Sequence, residues 1–154
     1  MADRGPGWTG TGECLVCVVW RPGAKSSLPT GLHHVPGPHL VVAANYLTSP
    51  VGPYLELAVA QPARHGTRVG MCVTTMGCGS SAACEAGLER WGFPKRSAGL
   101  GWTEDGSELV VRWEDRGIVV RAAARARTVP AILPYNSLQR RADGPVWVTG
   151  RLRG

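Results

Sequence analysis

Lysine is the residue that this sequence almost lacks. Of its 17 lysine and arginine residues, only Lys25 and Lys95 are lysines, and every other basic position is arginine. Arginine cannot replace lysine where a neutral amine is needed, because a guanidinium stays charged in proteins. A lysine kept among arginines is therefore a candidate for chemistry, although an ordinary exposed lysine would look the same in the sequence.

Long hydrophobic runs are also missing. No stretch approaches the ~18 uninterrupted apolar residues that indicate a membrane span. The N-terminal segment MADRGPGWTGTGE has no apolar signal region, so we expect a cytoplasmic protein that does not bind membranes.

The five cysteines form no evident disulfide framework, and their number is odd. Cys14 and Cys17 have the C-x-x-C spacing of metal sites, but residues three apart in a strand point to opposite faces. The second pair that a zinc site needs is missing, because the other cysteines are six residues apart: Cys72, Cys78 and Cys84. We therefore expect free thiols and no metal.

Positive charge is in excess, with a net charge of +6 and a pI near 9.5. The arginines are scattered, apart from local clusters at 121–127 and 140–141. The first cluster is interleaved with alanine rather than with the aromatic side chains on which nucleic-acid bases stack. This pattern favours a solvated basic face over a nucleic-acid interface, and a basic interaction module stays as an alternative.

The length of 154 residues predicts one domain, 1–154, whose first residues, 1–12, form a flexible N-terminus. Hydrophobic residues make up 44% of the chain, and 21 glycines and 12 prolines are spread along it, as in a β-rich protein with many turns. Alternating or β-branched runs predict strands. These lie at 13–20, 39–46, 54–60, 68–76, 107–113, 117–126 and 145–153, with a hairpin turn at 114–116.

One helix is predicted, at about 82–91. Ser80 or Ser81 can cap its start, because a short hydroxyl accepts hydrogen bonds from the free amides there. Gly92 suits the left-handed position just past the helix end, and Pro94 prevents continuation. Lys95 therefore follows a rigid helix exit and enters a strand or turn. The apolar stripe of this helix is predicted to consist of Cys84, Leu88 and Trp91.

Glu56 lies in the otherwise apolar strand PYLELAVA. Period-two alternation places it on one face with Tyr54, Ala58 and Ala60. A lone carboxylate in such a strand either faces solvent or is placed for chemistry. Taken alone, the pattern favours solvent.

Two further patterns are weaker. The histidines lie in loops rich in glycine and proline, without carboxylates at ligand spacing, so we interpret them as surface residues: His33, His34, His39 and His65. The segment GCGSS, 77–81, opens the predicted helix, where free amides can bind an anion. It lacks the lysine and the spacing of nucleotide-binding loops, but a substrate carboxylate could bind there.

Two segments together resemble the acetoacetate decarboxylase family. They are SPVGPYLEL, 49–57, and GLERWGFPKR, 87–96, and they place Glu56 and Lys95 39 positions apart. The resemblance covers about residues 10–125. It implies a mainly β fold, a closed cone-like or barrel-like antiparallel sheet with one short helix around a buried pocket.

The resemblance also implies the active-site residues. Lys95 matches the Schiff-base lysine, Glu56 matches the catalytic glutamate, and Arg96 stands where the decarboxylases carry a second lysine. Substrate contacts are implied for Tyr54, Phe93, Arg96 and Met76. No cofactor is expected, because the imine itself serves as the electron sink.

Activation of Lys95 requires a neutral amine, whereas a free lysine is almost wholly protonated at neutral pH. The family is a known example of lysines activated by desolvation or by a cationic neighbour. Arg96 would point to the opposite face of an extended segment, and the helix C-terminus favours the ammonium. We therefore expect burial to supply most of the activation.

The function implied is that of a lyase acting on a small keto acid, foremost by decarboxylation of acetoacetate or a related β-keto acid. Aldolase or dehydratase chemistry with the same lysine is an alternative, as is a catalytically silent small-molecule-binding domain. Because a short chain with open strand edges has reason to self-associate, we also expect a homo-oligomer.

Overall fold

The computed structural model describes residues 8–20, 27–123 and 132–153. The first seven residues of the predicted flexible N-terminus, Lys25 and the end of the predicted strand 117–126 lie outside the described residues. The described strands are β1 (Thr11–Val19), β2 (His33–His34), β3 (His39–Thr48), β4 (Tyr54–His65), β5 (Arg68–Cys78), β6 (Lys95–Ser97), β7 (Leu100–Asp105), β8 (Glu108–Trp113), β9 (Ile118–Ala123), β10 (Ile132–Arg141) and β11 (Gly144–Arg153). The helix α1 spans Ser81–Trp91.

The main sheet has eight strands, with the order β1-β3-β4-β5-β10-β11, while β2 pairs with β4 and β6 pairs with β5. Its pairs are antiparallel except where β5 meets β6 and β10. A second sheet has the order β7-β8-β9. The mainly β fold with one short helix is therefore confirmed.

The main sheet is strongly curved. Val148 of β11 packs in one apolar cluster with Ala58 of β4 and Val42 of β3, although β11 lies at the other end of the strand order. Among the described residues, however, β1 and β11 do not pair with each other. Closure of the sheet into a cone or barrel is not confirmed.

All seven predicted strands are found, and the predicted hairpin turn is a short 3-10 helix between β8 and β9. Four strands were not predicted: β2, β6, β7 and β10. The sequence of β10, ILPYNSLQRR, contains a proline and lacks regular alternation. Its partners across the sheet decide its conformation, rather than its own pattern.

The second sheet covers one face of the main sheet. Leu57 and Ala43, from the face opposite Glu56, form a core cluster with Val111 and Trp113. Gly77 makes room for this packing, because a Cβ at Gly77 would lie 3.0 Å from three atoms of the Trp113 ring. The opposite face, which carries Glu56, is covered by helix α1 and by the curved end of the main sheet.

Helix α1 begins and ends as predicted, but its buried face differs. The Ser80 side chain accepts a hydrogen bond from the Ala83 amide, and Gly92 has a φ of 69° in the left-handed region. The helix buries Ala83 and Gly87, whereas Leu88 is 56% exposed. The predicted stripe through Leu88 is wrong, because small residues let the helix approach the sheet closely.

Gln139 connects β10 to β5, which share only the residue pair Ser137 and Met71. Its side chain is 1% exposed. In the orientation that satisfies both backbone groups of Val73, its amide nitrogen donates to the Val73 carbonyl (3.2 Å) and its oxygen accepts from the Val73 amide (2.7 Å). The Ser137 hydroxyl donates to the same oxygen (2.8 Å). The Gln139 side chain thus provides hydrogen-bond partners for the amide and the carbonyl of Val73, which the single residue pair between β5 and β10 does not provide.

Within the part of the chain that the structure describes, no helix has both the length and the apolar character needed to cross a membrane.

Candidate active site

Lys95 reaches the site directly from the end of helix α1. The Gly92 amide donates to the Leu88 carbonyl (3.0 Å), and Pro94 prevents further helix. Lys95 then opens β6, which pairs in parallel with β5 so that Lys95 lies beside Met76. The helix exit is where the sequence predicts it, and of the two predicted continuations, a strand or a turn, the structure has a strand.

Glu56 reaches the site through strand register. It pairs with Ala44 of β3 and Cys78 of β5, and Ala58, two residues on, pairs with Met76. Opposed residues in a sheet share a face, so Glu56, Met76 and Lys95 lie on one face. The Glu56 side chain is only 12% exposed. The interpretation of Glu56 as solvent-facing is therefore wrong.

The two side chains form an ion pair in which the Lys95 Nζ lies 2.5 Å from the Glu56 Oε2. Only 5% of the Lys95 side chain is exposed. The other described ion pairs are far more open, as in Arg121 and Glu108, whose side chains are 55% and 48% exposed. Exposed pairs contribute little to stability, whereas breaking a buried pair leaves an uncompensated charge.

Tyr54 lies beside this pair. The Lys95 Nζ is 5.5 Å from the centroid of the Tyr54 ring, within the range of a cation–π interaction. Tyr46 stacks on Tyr54 with ring centroids 4.7 Å apart. The amine therefore has a carboxylate as one neighbour and an aromatic ring as another.

All three tyrosines of the chain are affected by Glu56. Burial, and then the negative charge of Glu56, raises the pKa of Tyr46, Tyr54 and Tyr135. A phenol with its ordinary pKa of about 10 is already protonated at neutral pH, and the raised pKa keeps these three hydroxyls protonated at still higher pH, so they can donate hydrogen bonds. Sequence reasoning missed Tyr46 and Tyr135, and no local motif could have indicated them.

Met76, which pairs with Lys95 in the sheet, and Phe93 form an apolar wall. Both are buried in a cluster with Ala58 and Val148. Arg96 is not brought to this wall. Arg96 is exposed, and it pairs with Gly77. Because it follows Lys95 in an extended strand, its side chain projects from the face of the sheet opposite to that of Lys95.

The cysteines are free thiols. Cys72 and Cys78 are fully buried, and burial raises the pKa of each to about 12. Cys14 pairs with Ala44 and Cys17 pairs with Val41, which places the two cysteines on opposite faces of the sheet. Among the described residues, no three His, Cys, Asp or Glu side chains are grouped to hold a metal ion.

The histidines do not contribute to the site. His33 and His34 are exposed in β2, and His65 is exposed at the end of β4. A shallow cleft of about 490 Å³ lies elsewhere, between the end of helix α1 and the β10–β11 turn. Neither Lys95 nor Glu56 lines it, so the buried ion pair indicates the candidate site better than this cleft does.

The family model for acetoacetate decarboxylase matches residues 7–130, which is most of the chain. No curated protein sequence matches.

Solved structures share the fold. An acetoacetate decarboxylase from Legionella pneumophila subsp. pneumophila str. Philadelphia 1 is 18% identical with a TM-score of 0.57, over 82% of this chain and 56% of that one. A second structure, described as structural studies of acetoacetate decarboxylase, is 17% identical with a TM-score of 0.66, over 98% and 68%.

A third similar structure is the enduracididine biosynthesis enzyme MppR, complexed with the condensation product of pyruvate and imidazole 4-carboxaldehyde. It is 16% identical with a TM-score of 0.59, over 95% of this chain and 69% of that one. The chain thus spans only 56% of the Legionella protein and 68–69% of the other two.

Proposed function

Because this chain belongs to the acetoacetate decarboxylase family, we propose that it is a lyase in which Lys95 forms a Schiff base with a small keto acid. The foremost reaction is decarboxylation of acetoacetate or a related β-keto acid. The observation that carries this proposal is the buried contact of 2.5 Å between the Lys95 Nζ and the Glu56 Oε2.

The pair supplies a route to the neutral amine. The ammonium of Lys95 donates a hydrogen bond to the Glu56 Oε2 (2.5 Å), so a proton can pass directly between the two groups. Transfer of one proton from the ammonium of Lys95 to Glu56 replaces the two charges by a neutral amine and a neutral acid. Glu56 is therefore the general base of the first step.

The amine then attacks the ketone carbon of the substrate. Glu56 returns its proton as the carbinolamine hydroxyl leaves as water, and a positively charged iminium forms on Lys95. The ring of Tyr54 lies where it can stabilise this positive charge, since the Nζ is 5.5 Å from the ring centroid. The phenol of Tyr54 is neutral at neutral pH, and its raised pKa keeps it neutral at still higher pH.

Carbon–carbon cleavage follows from the iminium. The electron pair of the bond to the carboxylate moves into the iminium, carbon dioxide leaves, and an enamine remains. The enamine carbon takes up a proton, and hydrolysis releases the ketone and the amine. A carboxylate next to the Glu56 anion is destabilised by charge repulsion, and its loss as carbon dioxide relieves that repulsion.

The apolar wall favours a substrate with a small hydrocarbon part. Met76 and Phe93 are buried in this wall and would contact the carbon chain of the keto acid. Arg96 leaves the opposite face of β6, which argues against direct contact between its guanidinium and a substrate held on Lys95.

Aldol-type chemistry is the second candidate. It is favoured by the likeness to MppR, whose structure holds a condensation product of pyruvate and an aldehyde. The same enamine could attack an aldehyde instead of taking up a proton. Carbon dioxide release from acetoacetate would distinguish decarboxylation from a new carbon–carbon bond between pyruvate and an aldehyde.

Self-association is proposed as well. Among the described residues, β1 pairs only with β3, so its outer edge is open. Val16 and Val18 of this strand are 42% and 69% exposed. Open apolar edges favour pairing with another strand. Light scattering should give a mass above that of one chain, and Val18→Lys should lower it.

The Schiff base is tested by trapping. Acetoacetate or pyruvate is incubated with the protein and sodium borohydride, and the adduct is located by mass spectrometry of peptides. We expect a stable adduct on Lys95. Because the chain has only two lysines, Lys25→Arg is a matched control that should keep the adduct, whereas Lys95→Arg should abolish it.

Two results would contradict the proposal. The absence of an adduct at saturating acetoacetate and pyruvate would favour a catalytically silent binding domain. An adduct that persists in Lys95→Arg would assign the reaction to another amine.

A further inference from the structure

Gly87, in helix α1, lies against the side chain of Lys95. A Cβ built on Gly87 would overlap the Lys95 Cδ, and it would lie 2.8 Å from the Cε and 3.2 Å from the Cγ. Contacts below 3.0 Å are essentially never found for real Cβ atoms. The methylenes of Lys95 therefore occupy the space that a side chain at position 87 would need.

The backbone of Gly87 also holds the segment that leads to Lys95. The Phe93 amide donates to the Gly87 carbonyl (3.2 Å), and the Lys95 amide donates to the Phe93 carbonyl (2.8 Å). These hydrogen bonds fix where β6 begins relative to the helix. The carbonyl of Gly87 thus orients the backbone of residues 93–95. The absence of a side chain at Gly87 leaves room for the side chain of Lys95.

Glycine is unfavourable inside a helix, because it loses more conformational freedom on folding than alanine does. Gly87 is buried in the middle of helix α1, with a φ that does not call for glycine. Its presence there needs a tertiary reason, and the packing of Lys95 provides one.

We propose that Gly87 is a positioning residue, whose missing side chain lets helix α1 hold the Lys95 amine against Glu56. The consequence for imine formation rests on the proposed function. The packing relationship does not, and it can be tested separately.

The first test measures the exposure of the amine. The protein is treated with a small amount of acetic anhydride, and peptide mass spectrometry gives the ratio of acetylation at Lys95 to that at Lys25. In Gly87→Ala the flexible end of Lys95 is displaced from Glu56, so the ratio should rise by about tenfold, since only an unpaired and accessible amine reacts.

Gly101→Ala is the matched control for this experiment. A Cβ at Gly101 meets only the Cβ of Arg112, at 3.7 Å, which is an ordinary contact. The acetylation ratio should therefore stay at its wild-type value. An equal ratio in Gly87→Ala and in the wild type would contradict the proposal.

The second test measures whether positions 87 and 95 are coupled. In a Lys95→Ala background the overlap is absent, so Gly87→Ala should raise the Tm through helix propensity alone. With Lys95 present, the same change should raise the Tm less or lower it. Should Gly87→Ala prevent folding, Lys95→Ala combined with Glu56→Gln, which removes the overlap without leaving a buried unpaired charge, should restore it. Additive effects on the Tm would overturn the proposal.

The third test connects the packing to chemistry. With acetoacetate and borohydride, the maximal rate of adduct formation on Lys95 should fall in Gly87→Ala by about tenfold or more, with little change in the half-saturating concentration. If the wild type forms no adduct, the proposed function fails. The acetylation ratio and the comparison of Tm values in the Lys95 and Lys95→Ala backgrounds still decide the role of Gly87.

Discussion

The Lys95 Nζ and the Glu56 Oε2 lie 2.5 Å apart, although 39 residues separate them in the chain. Both side chains are almost closed to solvent, with exposed fractions of 5% and 12%. The pair joins β6, the strand that follows helix α1, to β4, which lies between β3 and β5 in the main sheet.

Glu56→Gln should separate the role of the carboxylate in catalysis from its role in folding. Without a proton acceptor beside Lys95, the rate of borohydride-trapped adduct formation should fall roughly 100-fold to 10,000-fold. Because the ammonium loses its buried counter-charge, the free energy of unfolding should also fall, by about 3–5 kcal/mol. Urea denaturation and trapping kinetics measure the two effects.

Glu108→Gln is the matched control for that change. It removes a carboxylate from an exposed ion pair with Arg121, so the loss of stability should stay below about 1 kcal/mol. A Glu56→Gln protein that keeps the wild-type trapping rate would exclude Glu56 as the base.

Tyr54 variants should show whether the aromatic ring stabilises the cation on Lys95. Tyr54→Phe keeps the ring, so the fraction of protein trapped at equilibrium with acetoacetate should stay near that of the wild type. Tyr54→Leu removes a contact worth about 0.5–2 kcal/mol, so the imine equilibrium should weaken by roughly 2-fold to 30-fold. Equal losses in both variants would assign the effect to the hydroxyl instead.

The buried thiol of Cys72 should make stability fall at high pH. Burial raises its pKa from 9.0 to about 12, so the folded protein keeps the thiol proton that the unfolded chain releases first. This contribution is complete below pH 9 and is lost as the pH rises from 9 towards 12. Urea denaturation across this range should show a smaller decline for Cys72→Ala than for the wild type.

Thiol labelling gives an independent check. Iodoacetamide at pH 8 should modify the exposed Cys14, although its raised pKa slows the reaction. It should leave Cys72 and Cys78 unmodified in the folded protein, because they are fully buried and protonated. Rapid labelling of Cys72 without unfolding would contradict the burial of this strand.

Gln139→Leu should destabilise the fold without acting on the site. The change leaves the amide and the carbonyl of Val73 without their partner, which costs about 1–3 kcal/mol for each buried group. The Tm should fall, while Lys95 should still form its adduct at temperatures where the protein is folded. Asn136→Ala, at an exposed position on the same strand, is the control and should change stability by less than about 0.5 kcal/mol.

Much of the local structure was predictable from short segments. The cap at Ser80, the left-handed Gly92 and the stop at Pro94 were identified because each depends on the backbone preferences of one residue and its neighbours. The buried face of the same helix was predicted wrongly, since the choice between Leu88 and the small residues depends on how closely the sheet approaches.

The strands show the same division. Segments such as β9, whose side chains alternate between half-buried and exposed, were predicted because a β-branched or alternating run is visible in the sequence. The strand β10 was missed, because Gln139 and Ser137 are buried polar residues whose partners lie 66 positions away in β5. Polar residues of this kind look like loop residues until their hydrogen-bond partners are known.

The sequence by itself determined that one lysine among arginines leaves a helix at a fixed exit, and that Glu56 shares a strand face with Tyr54. Both follow from the φ and ψ preferences of glycine and proline and from the alternation of a strand. Only the tertiary structure decided that this face is covered, that Tyr46 and Tyr135 lie within the influence of Glu56, and that Arg96 points away. Those outcomes depend on the register between strands and on the burial of both sheet faces, which no short segment contains.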